Sequence, residues 1–425
     1  MTTFNGRSST LSFSPSPGLS DGTNLIPTSQ IISLIPSPTA DGYTLLHTHA
    51  PESLPGLQKT LLVAPPAALI SRYNLSTLPP HLDPAVVDIS VVISAGSGTG
   101  KALAYWSDVV QPLLAEYGLH EGSYIVHTTT SADTIHEIAT EISADGKPPQ
   151  SVILLSGDTL LFELLNSLKP PSLPQRRPTV SLLPLGTGNA LSASLSKSSP
   201  PLSTLLLGTP RTLPGFKATF SPGAHFVLPN STGTKPLPPD NALHGSVVLS
   251  WGFHASLVAD SDTAAYRENG SSRFQLAARA NLLPEPHGYK GVVSTILPGR
   301  DIWGALPAPT QHFYTLATMV SNLEETFCIS PASEPLASTL HLVHFPVLPP
   351  TEVMRVMAMA YDGGKHVTDP QVRYECVRGL RVEIEEEEER WRRVCVDGAI
   401  VVVPAGGRVE VEVVPGVVDV VYREG

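Results

Sequence analysis

Cysteine is nearly absent. Cys328, Cys376 and Cys395 are the full complement, with no paired spacing. That fits a reducing compartment and excludes a disulfide framework. Neither CxxC nor HExxH occurs, so no zinc site is indicated. His341 and His344 have the spacing of a strand or loop pair rather than of a metal pair. No GxSxG elbow is present, which leaves a hydrolase reading without support. No apolar run reaches the roughly 18–20 residues of a spanning helix. The opening MTTFNGRSST has no apolar signal core, and neither a Met-Gly start nor a C-terminal CaaX box occurs. The expectation is a cytoplasmic, soluble chain whose contact with intracellular membranes is peripheral. No basic stripe interrupts a formal net charge of −11, which argues against nucleic acid as a partner.

Proline, by contrast, is abundant at 42 of 425 residues, and predicts short elements joined by ordered turns. Hydrophobic residues make up 41% of the chain, enough for real cores, and the length allows two or three domains. Residues 1–84 form a Ser/Pro-rich extension. Strands are expected at Ile31–Ile35, Tyr43–Leu46 and Thr60–Ala64, and disorder over about the first 25 residues. Residues 85–205 alternate strand and helix. Residues 206–425 read as β-rich, with a helix near Ser272–Leu282, a loop over 221–242, and a solvated acidic loop in the run Glu383–Arg393.

The informative region is the alternating one. Strands are expected at Val87–Ile93, Tyr124–His127, Val152–Leu155 and Val180–Leu183, each followed by a small-residue turn and a helix, which argues for a parallel sheet. The first turn, Ser94-Ala95-Gly96-Ser97-Gly98-Thr99-Gly100-Lys101, suits a phosphate cradle. It is not a Walker A loop, because positions 95 and 102 are alanine, and not a dinucleotide fingerprint, because position 101 is lysine. The third unit, Ser151–Leu168, carries Asp158 from a strand to the mouth of a helix whose apolar face is Leu160, Leu161, Phe162, Leu164, Leu165 and Leu168. Asp158 there is either a helix cap or a ligand-facing carboxylate. The fourth turn is Pro184-Leu185-Gly186-Thr187-Gly188-Asn189.

This ordered set comprises the Gly-rich turn, Ser156-Gly157-Asp158, PLGTGNA at 184–190, SWGFHA at 250–255, YRENGSSRF at 266–274 and Val396-Asp397-Gly398. It resembles the diacylglycerol-kinase-type catalytic family, sphingosine (long-chain-base) kinase branch, and within it a fungal member. The resemblance implies an α/β nucleotide-binding domain packed on a C-terminal β-sandwich. It also implies Mg²⁺-assisted transfer of the ATP γ-phosphoryl group to the hydroxyl of a sphingoid base. Asp158 matches the catalytic position and, through the ATP phosphates, a Mg²⁺ position. The ATP positions are Gly96, Ser97, Gly98, Gly100, Thr129, Ser156, Gly157, Thr159, Glu163, Gly186, Thr187, Gly188, Asn189, Arg267, Arg273 and Asp397. Asp260, Asp262 and Phe253 match the lipid side, with Asp260 six residues before Tyr266 as charge partner for an amine. As start-of-helix acids, Asp260 and Asp262 have a structural reading too.

The chain departs from the family pattern in three places. Thr159 stands where glycine follows the aspartate, Ser94-Ala95 replaces Asn-Pro, and Ala399 replaces the glutamate of VDGE. Diacylglycerol or ceramide as acceptor, and a catalytically weakened lipid- or nucleotide-binding regulator, remain open beside the leading reading. A homodimer is also left open.

Overall fold

Val91, Val92 and Ile93 are all fully buried. A strand with no exposed face must be covered on both sides, as in a parallel sheet. The computed structural model describes residues 4–424 apart from 9, 38–41, 50–55, 97, 99, 130–131, 145, 170–176, 197–198 and 308–310. In it the four expected strands run Asp88–Ser94, Ile125–Thr129, Gln150–Ser156 and Thr179–Pro184, all parallel. One face takes Ile135, Ile138, Leu161 and Leu164 against Val92, Val152, Leu154 and Val180. The other takes Trp106, Val109, Leu113 and Leu205 against Ile89, Val91, Ile93, Ile153 and Leu155.

The second strand pairs on one side of the first, and the third on the other. Chain direction across the sheet therefore reverses between Asp88–Ser94 and Gln150–Ser156. At such a switch point the connections leave in opposite directions and open a crevice at the strands' C-terminal ends. The helix expected after Lys101 is split: a π turn, Trp106–Val110, lies between helical turns Ala102–Tyr105 and Gln111–Ala115. Pro112 offers no N–H where the ladder changes.

The β-rich part does not stop at the expected boundary of residues 205 and 206. The last strand, Arg408–Tyr422, pairs in parallel with Thr179–Val180 through Asp419 and Val420. It pairs antiparallel with Thr209–Phe220 and with Gly379–Glu383. One sheet thus runs from the parallel strands into the C-terminal half. A second, antiparallel sheet contains Val248–Gly252, Gln311–Thr318, Leu340–Pro346, Arg373–Val377, Arg393–Val396 and Ala399–Val402. Phe216, Leu249, Trp251, Val382 and Val411 share a core there. The strand Tyr289–Ile296 pairs with both sheets, so they are joined rather than two separate layers of a sandwich. The architecture is a mixed α/β fold with one large mixed sheet.

Three expectations are corrected. Part of the stretch expected to be disordered is ordered: Ser12–Phe13, Gly18–Ser20 and Leu25–Pro27 form a sheet, and Leu19 and Ile26 bury against Leu34 and Tyr73. Residues 221–242 contain a hairpin, His225–Val227 with Thr234–Pro236, laid on Ala399–Val402. Glu386 in the acidic run is not solvated. It is 6% exposed and accepts the Lys290 N–H at 2.7 Å and a bond from His287 Nε2 at 2.9 Å.

Val420, 1% exposed, lies between the parallel strand and Thr209–Phe220. Val420→Asp places an unpaired carboxylate in that seam, and is expected to lower the unfolding free energy by at least about 3 kcal/mol, read as a shift of the urea midpoint.

Candidate active site

Side chains, turns and sheet register converge on one edge. Ser94 pairs with Thr129, Ile93 with Leu155 and Ser156 with Pro184, so the turns that follow these strands leave side by side. The turns touch through their backbones. A Cβ on Gly186 would lie 2.2 Å from Gly157 Cα, and one on Gly157 would lie 2.5 Å from Gly188 O. Any side chain at either position would push the two turns apart. Gly98, at φ +61°, leaves its Cβ position 2.2 Å from Leu185 O, so the first turn closes on the fourth as well. Gly96, Gly98, Gly100, Thr187 and Gly188 are exposed along this edge, a composition that suits backbone approach to an anion. Ser97 lies outside the described residues.

Asp158 starts the helix Asp158–Ser167 but does not cap it. Its carboxylate turns to the neighbouring helix, Ala190–Leu195. Oδ2 accepts the Ala190 N–H at 2.6 Å and Oδ1 the Leu191 N–H at 3.1 Å. Its own N–H donates to Gly188 O at 3.1 Å. Burial pushes the carboxyl pKa up, and the two amide donors pull it back in part. The carboxylate opens on a small hollow with Leu161, Leu182, Asn189 and Ser192. Asn189 bridges its own turn: Oδ1 accepts the Gly186 N–H at 3.1 Å and Nδ2 donates to Gly186 O at 2.9 Å. Ser156 Oγ donates to Gly157 O at 3.2 Å.

Thr159 is exposed. Its Oγ1 lies 3.1 Å from where a Cβ on Gly398 would sit, and Gly398 has φ +91°. The Val396-Asp397-Gly398 turn therefore abuts the Asp158 helix. Asp397 itself points inward, 3% exposed. It accepts the N–H groups of Ser246 at 2.7 Å, Val247 at 3.1 Å and Val248 at 2.7 Å. Burial raises its pKa to about 7, and the charge of Asp158 adds to the rise. Its carboxylate is thus committed to the backbone of 246–248.

Glu163, half-buried on the Asp158 helix, has its pKa raised to about 7 by burial, with Lys235 opposing. Lys235 belongs to the hairpin at 225–236 and is a cation the sequence reading missed. Its signal was the apolar run His225-Phe226-Val227 before Ser231-Thr232-Gly233, a strand-and-turn pattern inside a Pro-rich stretch.

The remaining candidates gather on a separate set of contacts. Arg267 Nε donates to Asp262 Oδ1 at 2.9 Å. The Arg273 guanidinium lies 4.8 Å from the Phe274 ring centroid, and burial together with Arg267 lowers its pKa. Asp260 accepts from Arg393 Nη1 at 2.6 Å and Asn281 Nδ2 at 2.9 Å, with Arg390 at 3.8 Å. Phe253 is buried and stacked on Phe313 at 4.8 Å. Among the described residues, no cluster of three or more His, Cys, Asp or Glu side chains could hold a metal.

A crevice at the C-terminal ends of parallel strands, beside a switch point, is where open α/β sheets bind ligands. Comparison with known proteins agrees. Residues 88–213 match the family described as the diacylglycerol kinase catalytic domain. Human sphingosine kinase 1 is 27% identical over 279 residues, covering 64% of this chain and 65% of that relative. Both findings support the family that the motifs resemble. Two structures from Bacillus anthracis str. Sterne, each named as a candidate diacylglycerol kinase, share the fold. One has TM-score 0.52 at 16% identity, over 79% of this chain and 95% of its own. The other has TM-score 0.51 at 15% identity, over 79% and 97%. No helix among the described residues is long and apolar enough to cross a membrane.

Asp397→Asn leaves three N–H donors facing a single amide oxygen. It is expected to cost about 1–3 kcal/mol, measured by denaturant unfolding. The raised pKa means that the folded state holds this proton more tightly than the unfolded chain. Stability from this group therefore falls as pH rises from about 4 toward 7, and the variant should show a shallower decline across that window.

Proposed function

We propose that the protein is an ATP-dependent lipid kinase that phosphorylates the hydroxyl of a sphingoid long-chain base. The observation that carries this is the backbone contact of three glycine turns around Asp158 at a topological switch point. A phosphate chain needs donors without side chains in the way, and a lipid hydroxyl needs a base within reach. Gly96, Ser97, Gly98, Gly100, Gly157, Gly186, Thr187 and Gly188 line the phosphates, with Thr129, Ser156, Thr159, Glu163, Arg267 and Arg273 as outer nucleotide contacts. Asp158 accepts the hydroxyl proton. The lipid oxygen then bonds the γ-phosphorus, the bond to the β,γ-bridging oxygen breaks, and ADP leaves. Mg²⁺ suits a site that offers one carboxylate plus substrate phosphates, and supplies neutralisation of the phosphate charge when bound. In this reading residues 85–205 serve the nucleotide and residues 206–425 the lipid, in a cytoplasmic protein that meets membranes peripherally.

The sphingoid choice rests on the likeness to sphingosine kinase 1 and on Asp260 as an amine partner. A second reading, diacylglycerol or ceramide as acceptor, is favoured by one observation. The Asp260 carboxylate already has Arg393, Arg390 and Asn281 around it, so a substrate ammonium would compete with arginine.

The test is transfer from labelled ATP to sphinganine, diacylglycerol and ceramide in parallel, with Asp158→Asn as control. Product with sphinganine is expected, together with a loss of about 10²–10⁴-fold in the variant and retained ADP binding. Product with neutral lipids alone selects the second reading. No product with any lipid sinks the kinase proposal, and ADP binding in that case points to a regulator.

A further inference from the structure

Asp158 makes three bonds to the turn that carries Asn189. Its N–H reaches Gly188 O, and its carboxylate takes the N–H groups of Ala190 and Leu191. Among the described residues, these two N–H groups are the hydrogen-bond donors to that carboxylate. The base therefore goes where residues 186–191 go. Those residues hold their shape through one side chain. Asn189 both accepts from and donates to Gly186, at 3.1 and 2.9 Å. This pair closes a four-residue loop, and it leaves neither the Oδ1 nor the Nδ2 of Asn189 without a protein partner. Gly186, the residue so held, is the one pressed against Gly157, immediately before Asp158. The brace thus acts on Asp158 from two sides: through the Gly186–Gly157 backbone contact and through the amides that follow Asn189.

We infer that Asn189 is a positioning residue for Asp158 rather than a ligand of the nucleotide. This replaces its expected role in the phosphate cradle, and its kinetic consequence rests on the kinase reading above. The Asn189 side chain faces the turn's own backbone, so removing it loosens the amides that orient the Asp158 carboxylate. Most of the exposed glycines of the cradle, Gly96, Gly98 and Gly100, are on a different segment. Loss of Asn189 should then appear in the transfer step and hardly in nucleotide affinity.

The experiment is Asn189→Ala in the full chain, with residue-level amide hydrogen exchange, ADP calorimetry and steady-state kinetics. Expected is exchange at least about tenfold faster at Asp158, Ala190 and Leu191 without a change in the most protected core amides. ADP affinity and KM for ATP should stay within about twofold while kcat falls about 10–100-fold, the scale of a misplaced reacting group. Asn189→Asp keeps the acceptor for the Gly186 N–H and loses the donor, so it should fall between wild type and Asn189→Ala. It also serves as the reporter should the alanine variant unfold. Unchanged exchange at the three amides overturns the inference, and so does a tenfold loss of ADP affinity. If the wild-type chain phosphorylates no lipid, the kinase reading falls, and amide exchange alone decides the role of Asn189.

Discussion

Backbone pressed against backbone at Gly157 and Gly186 is the constraint on which the candidate site depends. Two turns that follow neighbouring strands would normally be separated by their side chains. Here the Cβ atoms are missing on both sides, and the turns close until Asp158 can reach the amides of the next helix. Asp158, the glycine amides and Asn189 are consequences of that approach. Glycine turns and a carboxylate that were built separately could drift apart; here one contact ties them together.

The C-terminal half is tied to this edge by its last strand and by the turn at 396–398. Arg408–Tyr422 enters the parallel sheet beside Thr179–Val180, so the sheet that carries Asp158 is completed by the end of the chain. The Asp397 carboxylate holds the backbone of 246–248, and its neighbour Gly398 meets Thr159. Thr159 replaces a glycine of the family pattern, and its methyl and hydroxyl need room. That room is on the side of Gly398, which has no side chain and a left-handed φ. The replacement is therefore absorbed by the 397–398 turn and leaves the contact between Gly157 and Gly186 untouched.

Much of this was legible in the residues. Doubly buried strands write themselves as unbroken Val, Ile and Leu, and the helix Ala132–Ile142 announces itself by its apolar spacing. The turns could be ranked as phosphate-friendly from composition alone. What could not be read was direction. Asp397 sits in a recognisable motif, yet its side chain turns inward to three amides that belong to residues 149 to 151 positions earlier. Asp260 stands at the expected spacing from Tyr266, yet Arg393, from a strand far along the chain, holds it. Long-range partners leave no local signature. The early strands were missed for a different reason: Ser- and Pro-rich composition lowers the apolar density, although Leu19 and Ile26 are enough to anchor a small sheet on Tyr73.

A cap and a base are not exclusive readings of Asp158. It does cap a helix, though the neighbouring one rather than its own. Two amide donors favour the charged carboxylate, and burial opposes it with the larger effect. A carboxylate under both influences stays oriented, because the amides fix its plane, and it holds a proton more readily than a free aspartate, because water is partly excluded. Those are the two properties that proton transfer from a hydroxyl asks of a base. A helix N-terminus that only needed a cap could have taken the solvent-exposed serine or asparagine common at such positions. Placing the acid on the adjacent strand's turn, inside the glycine contact, fixes its position relative to the neighbouring glycine turns, which a local cap on the helix itself would not do.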